Sequence, residues 1–207
     1  MDYFAKKVSQ NNKKNCFILK LDVKKFFDSV DQEILMDLIK IKIKDADAVL
    51  LINKIIKSFP KGLPLGNITS QLFANVYLNE LDQFVKHKLK EKYYIRYCDD
   101  FVILNTDSGH FKSFIFEIEN FLKKDLKLVL HPEKIIVRKY RQGIDFLGYV
   151  AFPNHRILRI KTKRRMLKNI KTKKDKTNFK QMMQSYFGML KHCHSFKILR
   201  KIKNVVD

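Results

Sequence analysis

The sequence predicts an α+β protein in which helices cover one face of an antiparallel sheet, followed by an all-helical basic segment. Three observations predict it. Short apolar runs of strand type alternate with longer runs whose apolar residues recur at helical spacing. Acidic residues stand at the end of the first strand run and in the turn between two later ones. Beyond Ile160 the strand patterns stop and basic residues crowd together. Helices packed on one face of a sheet are the layer arrangement that buries such a mixture.

The elements follow in order. Cys16–Asp22 is the first strand run. Asp31-Gln32-Glu33-Ile34-Leu35-Met36-Asp37-Leu38-Ile39 opens with an acid suited to capping a helix, and Ala46–Ser58 is a second helix. Asp45 and Asp47 read as a capping pair between the two. A third helix, Ser70–Lys90, is apolar at its start and amphipathic toward Lys86-His87-Lys88. Tyr93–Tyr97 and Phe101–Asn105 form a hairpin with acids at its turn. Ser108–Lys124 is a fourth helix whose stripe of Phe111, Phe114, Ile115, Ile118, Phe121 and Leu122 reads as core. Strand runs then fall at Lys127–Leu130, Ile135–Arg138, Asp145–Ala151 and Arg156–Ile160, with Asp145–Tyr149 also reading as a turn back into a hairpin. Helices are expected at Lys163–Lys173, Asn178–His192 and Phe196–Val205.

Composition narrows the partners. The chain of 207 residues carries 43 Lys and Arg against 21 acids, a formal charge of +22. A phosphate backbone is the acidic partner that such a charge most economically seeks. No run approaches a bilayer span, and the polar N-terminus lacks a signal-peptide core, so no membrane role is expected. The three cysteines, Cys16, Cys98 and Cys193, suit reduced thiols in a cytoplasm better than a disulfide frame. From Ile160 to Asp207 there are 15 basic residues and two acids. A lone helix with that charge would be a solvated face. Here it coincides with a change of organisation, so residues 1–160 read as an α+β domain and 161–207 as a helical module that grips phosphate.

Three acids carry the chemistry. Asp99 and Asp100 lie in the turn of Tyr97-Cys98-Asp99-Asp100, and Asp22 ends the first strand. Carboxylates at the ends of neighbouring strands can hold two divalent ions for in-line phosphoryl transfer, the work of a nucleic-acid polymerase. The Asp-Asp pair alone is explained equally well by turn chemistry, and Asp22 alone by the end of a strand. Asp22 would ligate both ions and the Val23 carbonyl could add an oxygen, a hard-oxygen set suited to Mg²⁺. Phe27 is either ordinary core or the ring beneath the incoming sugar. Lys61–Gln71 is a Gly/Pro-punctuated loop entering a helix, where Gly66 permits close backbone approach; a plain loop and cap would read the same way. Lys134 is either a solvated surface lysine or the acid that protonates a leaving pyrophosphate. His192-Cys193-His194 looks metal-like, but adjacent helical residues diverge, and it reads as surface.

Together these residues resemble reverse transcriptases of the bacterial retroelement type. Asp22–Val30 resembles the family's first catalytic motif and Leu65–Gln71 its template- and nucleotide-contacting motif. Tyr97–Asp100 resembles its Tyr-x-Asp-Asp signature, Leu128–Lys134 its lysine-bearing segment, and Phe146–Tyr149 its primer grip. Ser185–Cys193 resembles its thumb helix, and the likeness runs collinearly from about residue 16 to 200. The resemblance implies a polymerase palm with incomplete fingers over 1–160 and a thumb over 161–207. It implies RNA-directed DNA synthesis with Asp22, Asp99, Asp100 and Lys134 in catalysis, and with two Mg²⁺, or Mn²⁺ as substitute, on Asp22, Val23, Asp99 and Asp100. Phe27, Leu65, Gly66 and Gln71 would bind the nucleotide. Phe146, Leu147, Gly148, Lys163, Arg164, Arg165 and Lys168 would hold primer and template. Partners would be an RNA template, a DNA or RNA primer, dNTPs and a basic accessory protein, in the cytoplasm of a bacterium or of a phage host.

The subtype rests on two departures. Group II intron enzymes usually show Gln-Gly and Ser-Pro where this chain has Leu65-Gly66 and Ser70-Gln71. That resembles the enzymes of diversity-generating retroelements, which err at template adenines; retron and group II types are the alternatives. An apolar Leu65 would withhold hydrogen bonds that position the nascent pair. Only 21 residues precede Asp22, with no counterpart of the family's basic fingers, so a fragment or a non-catalytic nucleic-acid-binding remnant is the competing expectation.

Overall fold

Alternation along the central strands decides which side chains meet the core and which are left for chemistry. In the computed structural model, which describes residues 1–173 and 177–206, β1 (Phe17–Asp22) pairs antiparallel with β3 (Asp100–Asn105). β2 (Tyr94–Tyr97) pairs with the other edge of β3, and β4 (Ile136–Lys139) completes a sheet of order β2-β3-β1-β4. The register sets Leu19 opposite Ile103, Leu21 opposite Phe101, Lys20 opposite Val102 and Asp22 opposite Asp100. Successive side chains point to opposite faces and directly paired ones to the same face. Leu19, Leu21, Phe101 and Ile103 therefore share one face, and Lys20, Asp22, Asp100 and Val102 the other.

The leucine face packs on helices. α3 (Gln32–Lys42) contributes Leu35, Met36 and Ile39, α5 (Ile68–Gln83) contributes Phe73, Tyr77, Leu78 and Leu81, and α6 (Phe111–Asp125) contributes Ile118 and Leu122. This is the expected α+β layer. Asp31 caps α3, its Oδ1 accepting from the amides of Glu33 and Ile34 at 3.0 and 3.1 Å. Asp45 caps α4 (Ala46–Lys57) through the Ala48 amide at 2.7 Å. The short helix α2 (Phe26–Ser29) follows β1. The corner after α4 is pinned to it: Leu63 N donates to the Phe27 carbonyl at 2.8 Å, and a Cβ on Gly62 would stand 2.2 Å from that same oxygen. Gln32 Nε2 lies 3.1 Å from the carbonyls of Ile56, Phe59 and Gly62, which fastens the corner to α3.

Packing separates two compact units, Met1 with Phe17–Arg138, and Asp2–Cys16 with Lys139–Asp207. The second holds α1 (Asp2–Val8), a sheet of β5 (Ile144–Phe146), β6 (Tyr149–Ala151) and β7 (Arg156–Leu158), and the helices α7 (Ile160–Thr172), α8 (Phe179–Leu190) and α9 (Phe196–Val206). Its core is Leu158, Met166, Ile170, Met183, Leu190, Ile198 and Ile202. The all-helical run starts at Ile160, next to the sequence boundary, yet packing groups the three-stranded sheet and α1 with the helices.

Several elements differ from expectation. Lys127–Leu130 makes a single bridge, Leu130 to Val23, because Lys127 takes φ 48° and breaks the extended run. Asp145–Ala151 is two strands, since Leu147 and Gly148 both take positive φ and turn the chain. The third helix begins at Ile68, and after Gln83 it widens into π-helical Phe84–Lys88. The fourth begins at Phe111. The short α1 and α2 carry too little periodicity to be read from the sequence. Among the described residues the three cysteines form no disulfide, and burial pushes the Cys16 thiol up to about 11. Among the described residues no helix is long and apolar enough to cross a membrane.

Candidate active site

The face opposite the helices carries the acids. Asp22 is the last residue of β1 and lies directly across from Asp100, the first of β3. Asp99 sits in the turn between β2 and β3, where Tyr97 pairs with Asp100 and Cys98 takes φ 52°. The Val23 amide donates to the Asp99 carbonyl at 3.3 Å, which ties the turn to the chain just beyond Asp22. Asp22 and Asp99 are thus brought to one end of one strand pair although 76 residues intervene between them.

Like charges directly opposite in a sheet repel, so this arrangement calls for cations. Two ammonium groups answer it. Lys134 Nζ stands 2.8 Å from Asp22 Oδ1, and Lys20 Nζ stands 2.9 Å from Asp100 Oδ2. Asp100 Oδ1 is buried with no hydrogen-bond partner. Burial raises the proton affinity of Asp99 and Asp100 above the usual carboxylate range, and the Asp22 charge raises both further; Lys20 and Lys134 oppose the shift at Asp99, and Lys20 at Asp100. Among the described residues no three His, Cys, Asp or Glu side chains close into a metal cage. Mg²⁺ does not require one, since it keeps waters and substrate phosphates in most of its positions and takes one or two carboxylates. Hard-oxygen donors, an orphaned carboxylate oxygen and a local excess of negative charge fit such an ion.

The other expected residues fall in both units. Lys134 ends the 3₁₀ turn Pro132–Lys134 and meets Asp22. Val23 is core by its side chain and is placed through its amide. Phe27 is half-buried, edge-on to Phe26 with ring centroids 5.3 Å apart, and packs against the core. Leu65, Gly66 and Gln71 are exposed at the entry to α5, with Leu65 75% exposed. Phe146, Leu147 and Gly148 form the β5–β6 turn, Phe146 buried and Leu147 exposed. Arg164, Arg165 and Lys168 are exposed on α7, and Lys163 half-buried. His192, Cys193 and His194 lie between α8 and α9 rather than on a helix. Helical divergence therefore does not apply to them, and the two histidines are exposed at the surface.

Sequence reasoning missed Lys20 and Arg96. Each is a single charge inside an apolar strand run, Phe17-Ile18-Leu19-Lys20-Leu21 and Tyr94-Ile95-Arg96-Tyr97. That interruption was the available signal, because a buried charge needs a partner.

Comparison with known proteins bears on the family and the fold. Residues 2–151 match the family described as reverse transcriptase (RNA-dependent DNA polymerase). The group II intron-encoded protein LtrA of Lactococcus lactis subsp. cremoris is 28% identical over 200 residues, covering 62% of this chain and 33% of LtrA. Protein YkfC of Escherichia coli K12 is 25% identical over 185 residues, covering 69% of this chain and 47% of YkfC. The putative COX1/OXI3 intron 2 protein of Saccharomyces cerevisiae is 20% identical over 200 residues, 64% of this chain and 23% of that protein. The chain thus spans under half the length of these curated relatives. Apo telomerase of Candida tropicalis, truncated from its C-terminal domain, superposes with a TM-score of 0.60 at 14% identity, over 76% of this chain and 38% of that one. Candida albicans telomerase with a fragment of telomeric RNA gives 0.56 at 13%, over 99% and 42%. At these identities the likeness is one of fold.

Proposed function

The chain belongs to the reverse transcriptase (RNA-dependent DNA polymerase) family, and from that premise we propose that it extends a primer 3′-hydroxyl on an RNA template by two-metal-ion nucleotidyl transfer. The observation that carries the reading is the placement of Asp22 opposite Asp100 with Asp99 in the adjoining turn. When bound, divalent ions supply charge stabilisation at the transferring phosphate and a more acidic attacking hydroxyl. Asp22 and Asp99 hold those ions, with the Val23 carbonyl adding an oxygen. Asp100, engaged by Lys20, supports them with its free oxygen. The ion pair of Lys134 with Asp22 supports Lys134 as the acid that gives a proton to pyrophosphate. Phe27 underlies the sugar, and Leu65, Gly66 and Gln71 meet the nascent pair.

Residues 161–207 act as a thumb, in which Lys163, Arg164, Arg165 and Lys168 hold the backbone of primer and template regardless of sequence. Phe146, Leu147 and Gly148 support the primer end. Mg²⁺ is the working ion and Mn²⁺ its substitute; the setting is a bacterial cytoplasm, with a basic accessory protein as partner. Leu65 in place of Gln supports an error-prone enzyme of a diversity-generating retroelement. The similarity to LtrA favours a second reading, an intron-type enzyme of ordinary fidelity.

Primer extension on poly(rA)/oligo(dT) with Mg²⁺, beside Asp99→Ala, tests the activity. Asp99→Ala should lower the rate by about 10³-fold or more, the scale of losing a group that acts in the transition state. Equal rates, or no extension by either protein, would favour a non-catalytic nucleic-acid-binding role. Misincorporation opposite template adenine that falls in Leu65→Gln supports the first subtype; an unchanged error rate supports the second.

A further inference from the structure

We propose that Arg96 is the positioning residue of the catalytic turn: its guanidinium fixes the peptide plane from which Asp99 emerges. The proposal rests on the polymerase reading above.

Arg96 lies on β2, three residues before Asp99, and its side chain is 9% exposed. Every nitrogen of the fork is used. Nε donates to Asp82 Oδ1 at 2.8 Å and Nη2 to Asp82 Oδ2 at 2.6 Å. Nη1 donates to Asn75 Oδ1 at 3.3 Å and to the Cys98 carbonyl at 3.1 Å. Asn75 and Asp82 are seven residues apart on α5, which is two helical turns and hence one face. The Tyr94 hydroxyl also donates to Asp82 Oδ1, at 2.8 Å, and holds that carboxylate in place. One planar group thus joins a rigid helix to a single carbonyl of the turn.

That carbonyl matters because a peptide is planar. The Cys98 C=O and the Asp99 N–H belong to one plane, so a bond to the oxygen sets the direction in which the Asp99 Cα and its carboxylate leave. The following plane is set from the other side, by the Val23 amide on the Asp99 carbonyl at 3.3 Å. Asp99 is therefore gripped through both of its peptides, once by α5 through Arg96 and once by the chain after β1. The grip is needed, since Cys98 holds a left-handed φ of 52°, a conformation that costs a non-glycine residue about 1–2 kcal/mol. Lysine cannot substitute, because a single ammonium cannot fork to Asp82 and reach the Cys98 oxygen in fixed relation.

The test compares wild type, Arg96→Lys and Asp99→Ala in the full chain. It measures thermal unfolding, primer–template affinity, the Mg²⁺ concentration for half-maximal extension, and hydrogen exchange of the Asp99 amide. Arg96→Lys should stay folded and bind primer–template within about twofold of wild type. It should need about 10–100-fold more Mg²⁺, the scale on which groups supporting metal ligands act, and exchange its Asp99 amide about tenfold faster. A Mg²⁺ requirement and an exchange rate both unchanged would overturn the proposal, because a mere fastening would move only the melting temperature. Should Arg96→Lys fail to fold, Asn75→Ala removes one partner of the same nitrogen and should shift both quantities in the same direction, by about threefold; no shift would overturn the proposal. Wild-type extension no greater than that of Asp99→Ala would sink the polymerase reading alone, and the exchange rate would then decide the clamp.

Discussion

Two hairpins of the chain turn through two residues each, Cys98-Asp99 between β2 and β3 and Leu147-Gly148 between β5 and β6. Each opens on a left-handed residue, Cys98 at φ 52° and Leu147 at φ 53°, but the second residue differs, since Gly148 also takes positive φ and Asp99 does not. Each also has an arginine tied to an aspartate and to a carbonyl of the turn. In the first, Arg96 holds Asp82 and the Cys98 oxygen. In the second, Arg159 Nε donates to Asp145 at 2.8 Å, and the Arg159 amide donates to the Gly148 carbonyl at 3.0 Å. What differs between the ties is water. The side chains of Arg96 and Asp82 are 9% and 23% exposed, those of Arg159 and Asp145 38% and 41%. The tie beside Asp99 is therefore shielded from water, and the one beside the outward-facing Leu147 is open to it.

The largest expected effect comes from cutting the two ties. Asp82→Ala leaves a buried guanidinium without its carboxylate and should cost about 3–5 kcal/mol. Asp145→Ala should cost about 1 kcal/mol or less, and that loss should shrink as salt is added. Denaturant unfolding of each variant at low and high salt measures both. Equal costs would erase the distinction between the turns. Next comes the strain itself. Leu147→Gly should raise stability by about 0.5–1 kcal/mol by relieving the left-handed leucine. If the leucine serves as part of a primer grip, the same variant should bind primer–template more weakly. Stabilisation without lost affinity would leave Leu147 as a tolerated strain only.

The smallest effect sits at the other end of the first hairpin. Burial raises the Glu91 pKa, and the hydrogen bond from Asn105 at 3.3 Å opposes it. The folded chain therefore favours protonated Glu91. That contribution is fully present below the unfolded value, about 4.3, and is lost as pH rises through the higher folded one. Glu91→Gln cannot ionise, so its stability should exceed that of wild type at neutral pH and the advantage should vanish on acidification. A pH series of melting temperatures reads this, and a constant gap between the two proteins would refute it.

These hairpins also show what the sequence could and could not reveal. Asp22 and Asp100 were legible because each stands at one end of an apolar strand run whose period fixes its face, and Asp99 because it lies in the turn between two such runs. Both turns were legible as turns only in part. Leu147 let the strand pattern run on through it, because a leucine carries no mark of positive φ. Lys20 and Arg96 were visible as interruptions, but their partners were not. Asp82 and Asn75 lie 14 and 21 residues before Arg96, and pairing at such a distance is decided by how α5 packs on the sheet. The boundary at residue 160 marks where secondary structure changes, whereas packing divides at Arg138, because a sheet can join helices without any compositional mark.

The corner at Gly62 limits how this protein could be re-engineered. A side chain there would drive into the Phe27 oxygen, and Gln32 draws three carbonyls of that corner around one amide. Loop-length variants between Phe59 and Leu63 would therefore displace the backbone that follows Asp22, at a distance from any residue altered. Libraries built on the exposed Leu65 and Gln71, whether or not these meet a nucleotide as proposed, should leave Gly62 and Gln32 as they are.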